Sequence, residues 1–234
     1  MSFSLASLAQ TQWDAPYGGE SDLLVVIPAT RETGLLANRL YFRLMNLPQG
    51  VNAHVIFYET DFKVFREDEL GYRSDDYRFG SRAYVLAERM LSDKIHTYAV
   101  LGTSGTSRID LKGTMLDVIQ ENDVQDVIFY GLSSSNYQTH FFHVFDWLLE
   151  RDVSGVLGVY VTGDGQGGLE GRLVNQKDDA LGTVNRPIDD AIQTQLAVST
   201  FMFNTLNKWV SGTPLGTNKV GIDLGTGEIN PKFN

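Results

Sequence analysis

Leu23-Leu24-Val25-Val26-Ile27 indicates the fold class of this chain. It is a short, continuous apolar run rich in β-branched residues, which is typical of a strand buried on both faces of a parallel sheet. Further runs of this kind occupy residues 51–58, 96–101, 126–130 and 156–161. The sequence therefore predicts a sheet of about five strands.

Helical patterns lie between these runs. In two of them the spacing puts apolar residues on one helix face: Phe79, Ala83, Leu86, Ala87 and Met90, then Phe141, Phe142, Phe145, Leu148 and Leu149. Residues 34–46 and 109–121 also predict helices, and a last helix is predicted to start at Pro187. Because alternating strands and helices need crossover connections, we predict a doubly wound α/β fold: a mainly parallel sheet with helices on both faces.

Two irregular segments flank this predicted domain. Residues 1–21 are polar and small and predict an N-terminal arm, residues 22–211 form the α/β domain, and residues 212–234 predict a C-terminal arm. Within the second arm, Val220, Ile222 and Leu224 alternate with other residues as in a single strand. A lone strand must pair somewhere, so we expect these three residues to add to the sheet edge of a neighbouring copy.

The composition excludes several classes of function. The chain has 234 residues, with 19 Lys+Arg against 29 Asp+Glu, so its formal charge is 19 − 29 = −10. Such a surface repels phosphate backbones and anionic lipids, so we expect neither nucleic acid nor a membrane as a partner. The absence of cysteine excludes disulfides and thiolate chemistry. The sequence shows no signal peptide and no membrane span, which predicts a cytoplasmic protein or a virion component assembled in the cytoplasm.

Loops that follow the strands are the candidate binding sites, since ligands of open α/β sheets bind beyond the carboxyl ends of the strands. Two of these loops are rich in small hydroxyl side chains and lead into helices, where hydroxyls and backbone N–H groups could hold a phosphate or a sugar. The candidate ligand-binding residues are Thr103, Ser104, Thr106, Ser107, Arg108, Ser133, Ser134, Ser135, Asp61 and Asp164. In the alternative interpretation, Ser107 and Asn136 are helix N-caps and the other residues only shape turns.

Two family resemblances bear on these loops. The Gly-Thr-Ser turn at residues 102–104 and the Ser-rich loop at residues 133–139 resemble the sugar isomerase (SIS) family, and the likeness covers residues 95–162. This resemblance implies a phosphosugar ligand. Glu59-Thr60-Asp61 after a strand is similar to the acidic metal-binding motif of nucleotide-sugar glycosyltransferases.

No cofactor or metal is predicted. The sequence contains neither a Walker A motif nor a dinucleotide fingerprint, so we expect no cofactor. His140 and His143 share a helix face with Asp146 and Glu150, and we interpret this as an exposed polar face, since no third convincing ligand accompanies the histidines. The catalytic residues of an enzyme, if it is one, are not identified by any motif.

The last third of the chain resembles the sheath family of contractile phage tails in its layout. A strand at residues 155–160 is followed by a Gly-rich loop, a long helix ending at Trp209 and a strand at residues 220–223. This resemblance implies a structural subunit of a repeating homo-oligomeric assembly, such as a tail sheath or another virion tail component, linked through its termini. The alternative is an enzyme that binds a phosphorylated or nucleotide-linked sugar, of glycosyltransferase-like or sugar isomerase-like type.

Overall fold

A computed structural model describes residues 17–60, 81–101, 107–133, 137–175, 186–189, 191–216 and 219–230. Strands and helices alternate along most of this length. In chain order the elements are β1 Leu23–Pro28, α1 Arg31–Met45, β2 Ala53–Glu59, α2 Arg82–Met90, β3 Ile95–Leu101, α3 Ser107–Glu121, β4 Asp126–Leu132, α4 Tyr137–Leu148, β5 Gly155–Gly163, β6 Leu169–Val174, α5 Ile192–Val210, β7 Lys219–Ile222 and β8 Ile229–Asn230.

The sheet confirms the predicted α/β class and extends it. Its strand order is β3-β2-β1-β4-β5-β6-β7-β8, and the first five strands in this order are parallel. These are the strands that the apolar runs predicted. The other three, β6 to β8, add to the β5 side in antiparallel pairs, so the sheet has eight strands and is only partly parallel.

Helices cover both faces of the sheet, as predicted. Alternate residues of β1 point to opposite sides, with Leu23 and Val25 in one core cluster and Leu24 and Val26 in the other. The first cluster contains the buried side chains of α1, α2 and α5, and the second contains those of α3 and α4. The outward surfaces of these two helix layers therefore face in opposite directions.

Three predicted helices, α1, α3 and α4, begin earlier than the apolar spacing indicates. The first begins at Arg31 because Thr30 and Thr33 form a capping box, in which Thr30 N donates to Thr33 Oγ1 at 3.0 Å. Helix α2 begins at Arg82, after Phe79 of its predicted apolar face, and the last helix also begins late. It begins at Ile192, so the predicted start at Pro187 is wrong; residues 186 and 187 instead lie against the ends of two strands, and this contact holds them out of the helix.

The C-terminal segment is not an arm in its described part. Lys219–Ile222 forms β7 and pairs antiparallel with β6 of the same chain, with Val220 opposite Gly171 and Ile222 opposite Leu169. Val220 is 1% exposed, and Ile222 is also buried in the core. The assembly strand predicted at Val220, Ile222 and Leu224 therefore has its partner within its own sheet, because its apolar residues complete the core beneath α5.

Carboxylates hold the chain at the amino ends of the parallel strands. Asp126 begins β4 and is 1% exposed; its carboxylate accepts hydrogen bonds from Gly18 N at 2.9 Å and Gly19 N at 3.0 Å. At the next strands, Asp22 accepts from Asn52 N at 2.8 Å and lies 3.1 Å from His54 Nε2. Residues 17–22 are thus fixed to the domain, although the predicted N-terminal arm extends to residue 21.

Within the described residues, none of the helices combines the length and the apolar character that crossing a membrane requires.

Candidate functional site

The sheet places the loops after β1 and β4 side by side, since the strand order reverses between these two strands. This switch point is the usual ligand crevice of an open α/β sheet. Of the predicted binding residues, the structure describes the side chains of Ser133 and Asp164. Ser107 and Arg108 open α3, and nothing is described of their side chains. The remaining predicted residues lie outside the described ranges: Asp61, Thr103, Ser104, Thr106, Ser134 and Ser135.

Ser133 binds the protein's own backbone. Its hydroxyl donates to the carbonyl oxygen of Arg186. Thr162 at the end of β5 donates to the same carbonyl at 3.2 Å and accepts from Arg186 N at 3.0 Å. Gly163 N also donates to this carbonyl, at 3.1 Å. Residues 186–189, which we call the strap, therefore begin directly against the carboxyl ends of β4 and β5.

A glycine makes this close approach possible. A Cβ atom on Gly163 would lie 2.5 Å from the carbonyl oxygen of Pro187, well inside van der Waals contact. Only a residue without a side chain lets the strap pack at this distance. The part of the carboxyl edge nearest Ser133 is thus occupied by the strap.

Asp164 shapes the turn between β5 and β6. Its Oδ1 accepts from Gln166 N at 2.7 Å and from Gly168 N at 2.8 Å, and its carbonyl accepts from the Arg186 guanidinium. Gly165 has φ +85°, which suits glycine. Asp164 therefore stabilises a local turn, whereas Ser133 bonds to a segment distant in sequence.

An open cleft of about 590 Å³ lies between this turn and the end of β7. The charged residues that line it are Asp164, Glu170, Arg186, Lys219 and Asp223. Glu170 forms ion pairs with Arg172 at 2.6 Å and with Lys219 at 3.1 Å. Hydrogen bonds from the backbone and side chain of Thr226 lower the pKa of Asp223, because they favour the charged carboxylate. The cleft thus has charged walls that are already paired in part.

On the other side of the switch point, Glu59 caps a helix. Its Oε2 accepts from Ser81 Oγ at 2.6 Å and from Ala83 N at 3.1 Å, at the first turn of α2. Burial raises the pKa of the Tyr137 phenol, and the negative charge of nearby Glu59 raises it further. Sequence reasoning named Glu59 only as part of the acidic motif at residues 59–61, and it did not single out Tyr137, which lies within the Ser-rich loop at residues 133–139.

The histidine face of α4 is only partly as predicted. His143 is exposed, but His140 is buried and its ring stacks on Tyr58 with centroids 6.4 Å apart. The prediction of an exposed face is therefore wrong for His140, because the sheet residue Tyr58 reaches the helix at that position. In the described part of the chain, no three His, Asp or Glu residues converge as metal ligands.

A different surface carries exposed apolar side chains. Arg39 of α1 donates to Thr200 Oγ1 of α5 at 2.6 Å, so the two helices lie side by side. Large apolar side chains are exposed along this pair and at the adjacent end of α2, where Ser92 Oγ lies 3.2 Å from Met45 Sδ. We call this surface the α1–α5 face and define it by Leu35, Phe42, Met45, Leu91, Ile192 and Leu196.

The α1–α5 face is the candidate functional site. Phe42 is 72% exposed and Ile192 is 73% exposed, so neither contributes to the core. Single exposed apolar residues are common on protein surfaces, but several of them on two helices that pack side by side are typical of a protein contact surface. Sequence reasoning missed this face because an apolar residue at helical spacing is read as core until the neighbouring helix is known.

The amino-acid sequence matches no protein-family model, and a comparison with curated proteins gives no significant match.

Proposed function

We propose that the protein is a structural subunit of a repeating assembly, and that it binds its neighbours through the α1–α5 face. The assembly suggested by the layout of the chain is a phage tail sheath or another virion tail component. The single observation that supports a subunit role most is the exposure of Phe42 and Ile192 on one helical surface.

The use of the hydroxyl-rich loop supports the same proposal. The hydroxyl of Ser133 and that of Thr162 both bind Arg186 within the chain, so these groups have a structural task. The contact predicted for the C-terminal strand is replaced in this proposal. Since β7 pairs within its own sheet, the neighbour contact is proposed for a helix surface and not for a donated C-terminal strand.

The test is the size of the purified protein in solution. We expect sedimentation velocity to show oligomers whose size grows with protein concentration, and negative-stain microscopy to show rings, tubes or filaments. A deletion of residues 213–234 is a poor test, because it removes Val220 and Ile222 from the core. A protein that stays monomeric at every concentration would contradict the proposal.

The cleft beside the β5–β6 turn favours a second candidate, an enzyme that binds a phosphorylated or nucleotide-linked sugar. Its volume of about 590 Å³ is that of a small-molecule site, and Arg186 and Lys219 could neutralise a phosphate. For this function we expect the melting temperature to rise with a UDP-sugar or a sugar phosphate, since a ligand of the folded state stabilises it. An unchanged melting temperature at millimolar ligand would exclude those ligands.

A further inference from the structure

The two outward helix surfaces differ in charge as well as in direction. On the α1–α5 side, α1 carries three basic residues, Arg31, Arg39 and Arg43, against one acidic residue, Glu32. In a chain with a formal charge of −10, this is a locally basic surface around exposed apolar groups. A partner for it should be apolar in part and acidic.

The opposite side of the molecule offers such a surface on α3. Asp110, Asp117 and Glu121 are all exposed, and their spacing of seven and four residues places them on one helix face. Ile109 beside them is exposed as well. We call Ile109, Asp110, Asp117 and Glu121 the α3 face.

Among the described side chains, Lys112 of α3 and Arg151 both lie over an aromatic ring. Lys112 Nζ lies 5.7 Å from the centroid of Trp147, and the Arg151 guanidinium carbon lies 4.9 Å from it. This cation–π arrangement draws both positive charges towards Trp147. The acidic row on α3 is consequently left to face solvent.

We propose that copies of this protein join head to tail, with the α1–α5 face of one copy against the α3 face of the next; this inference rests on the proposed structural role. The two faces lie on opposite sides of the sheet, so one molecule cannot bring its own two together. Two α1–α5 faces placed together would oppose arginine to arginine, which is unfavourable. A heterologous contact of this kind repeats and gives a ring or a filament.

Two variants block one face each. Phe42→Asp with Ile192→Asp places carboxylates in the α1–α5 face, at side chains so exposed that folding should be unaffected. Asp117→Lys with Glu121→Lys reverses the charge of the α3 face near the C-terminal end of its helix, where lysine suits the helix dipole. A matched control reverses two exposed charges elsewhere, Glu20→Lys with Asp152→Lys, in the loops before β1 and β5.

Sedimentation velocity of each variant and of their mixture tests the head-to-tail contact. Each blocked variant alone should be a monomer, and the control should assemble like the wild type. An equimolar mixture of the two blocked variants should form a dimer and nothing larger, because one intact α1–α5 face meets one intact α3 face. Circular dichroism checks that every variant is folded.

Three other outcomes overturn the inference. If the α3 variant alone still forms dimers, the α1–α5 faces bind each other. If both blocked variants keep the wild-type size, the assembly uses other surfaces: the role as an assembly subunit survives, but contact through the α1–α5 face and the head-to-tail contact both fall. If the wild type itself is a monomer at every concentration, both the proposed function and the head-to-tail contact fall.

Discussion

At the amino ends of the parallel strands, carboxylates accept hydrogen bonds from backbone N–H groups. At the carboxyl ends of β4 and β5, hydroxyl groups instead donate hydrogen bonds to a backbone carbonyl of the strap. Asp126 accepts two backbone N–H bonds, from Gly18 and Gly19. At the other end, the hydroxyls of Ser133 and Thr162 donate to a single backbone carbonyl, that of Arg186. Hydrogen bonds to a charged acceptor are stronger than those to a neutral one, so the bonds at the amino edge should contribute more to stability.

The hydrogen bonds at the carboxyl edge bear on how the hydroxyl-rich loops are interpreted. The carboxyl edge of an open α/β sheet is where ligands usually bind, and a serine there suggests a ligand. Here the strap uses the serine at the end of β4, so a hydroxyl at this edge can serve the chain itself. Four measurements of the free energy of unfolding test whether the two edges differ in this way.

The largest effect is expected for Asp126→Ala at the amino edge. The substitution leaves two backbone N–H groups without their acceptor, and we expect a loss of about 3 kcal/mol in urea unfolding. Asp126→Asn is the control, since its amide oxygen can still accept; it should lose clearly less. Equal losses of under about 1 kcal/mol for both variants would show that this edge is not held by the carboxylate.

Gly163→Ala tests the strap at the carboxyl edge. The added Cβ would lie 2.5 Å from the Pro187 carbonyl oxygen, so the strap must shift, and we expect a loss of about 2 kcal/mol. In Gly113→Ala, on exposed helix α3, a Cβ meets nothing within 4 Å. This control should instead gain about 1 kcal/mol, because alanine favours the helix. A Gly163 variant as stable as the wild type would refute the close packing of the strap.

Ser133→Ala should have a smaller effect. It removes one hydroxyl bond to Arg186 in a buried position, which is worth about 1 kcal/mol. Thr114→Ala removes a comparable bond, from Thr114 Oγ1 to Asp110 O, at an exposed site, and its stability should be unchanged or slightly higher. A loss that is no greater for Ser133→Ala than for Thr114→Ala would mean that the strap does not depend on this hydroxyl.

The smallest effect is the pH dependence of the amino edge. Burial lowers the pKa of His54 below its usual 6.5, although the neighbouring Asp22 opposes this. The unfolded chain then binds more protons than the folded one, so stability should fall as the pH falls through and below 6.5. Burial raises the pKa of Asp22, but the hydrogen bonds from Asn52 and His54 outweigh burial and lower it below 3.8. The contribution of Asp22 to stability is therefore lost only as the pH falls below about 3.8.

Urea unfolding at pH 7 and at about pH 5.5 measures the first of these effects, since histidine side chains ordinarily titrate near this interval and the variants separate the share of His54. His54→Gln should reduce the difference between the two pH values, while His143→Gln, on the exposed side of α4, should keep the wild-type difference. Identical pH dependence in wild type and His54→Gln would exclude His54 as the group responsible.

Much of the fold could be predicted from local patterns, and the failures have physical causes. The strand β6 was missed although Leu169, Gly171 and Leu173 alternate with Glu170 and Arg172. Its central inward position is a glycine because a Cβ there would lie 2.4 Å from the Phe201 ring. The helix that fills this space is remote in sequence, so the run looked like part of a Gly-rich loop.

For the candidate site, the sequence supplied residues without their partners. Ser133 and Asp164 were named as ligand-binding residues, and the structure gives both hydrogen-bond partners in the chain. Phe42 and Ile192 fall within predicted helical segments, and neither was named as a site. Whether an apolar residue lies in the core or on a contact surface depends on which face the next helix covers, and local spacing does not contain that information.

The amino-acid sequence by itself determined the α/β class, the five parallel strands and the helices on both faces, because buried strands and amphipathic helices leave periodic patterns. It also determined the acidic charge of the chain. Only the tertiary structure decided that β7 pairs within its own sheet, that the strap lies on Ser133, and that an apolar, basic helix face stands opposite an acidic one. Each of these depends on contacts between residues far apart in the chain, which the folded backbone alone brings together.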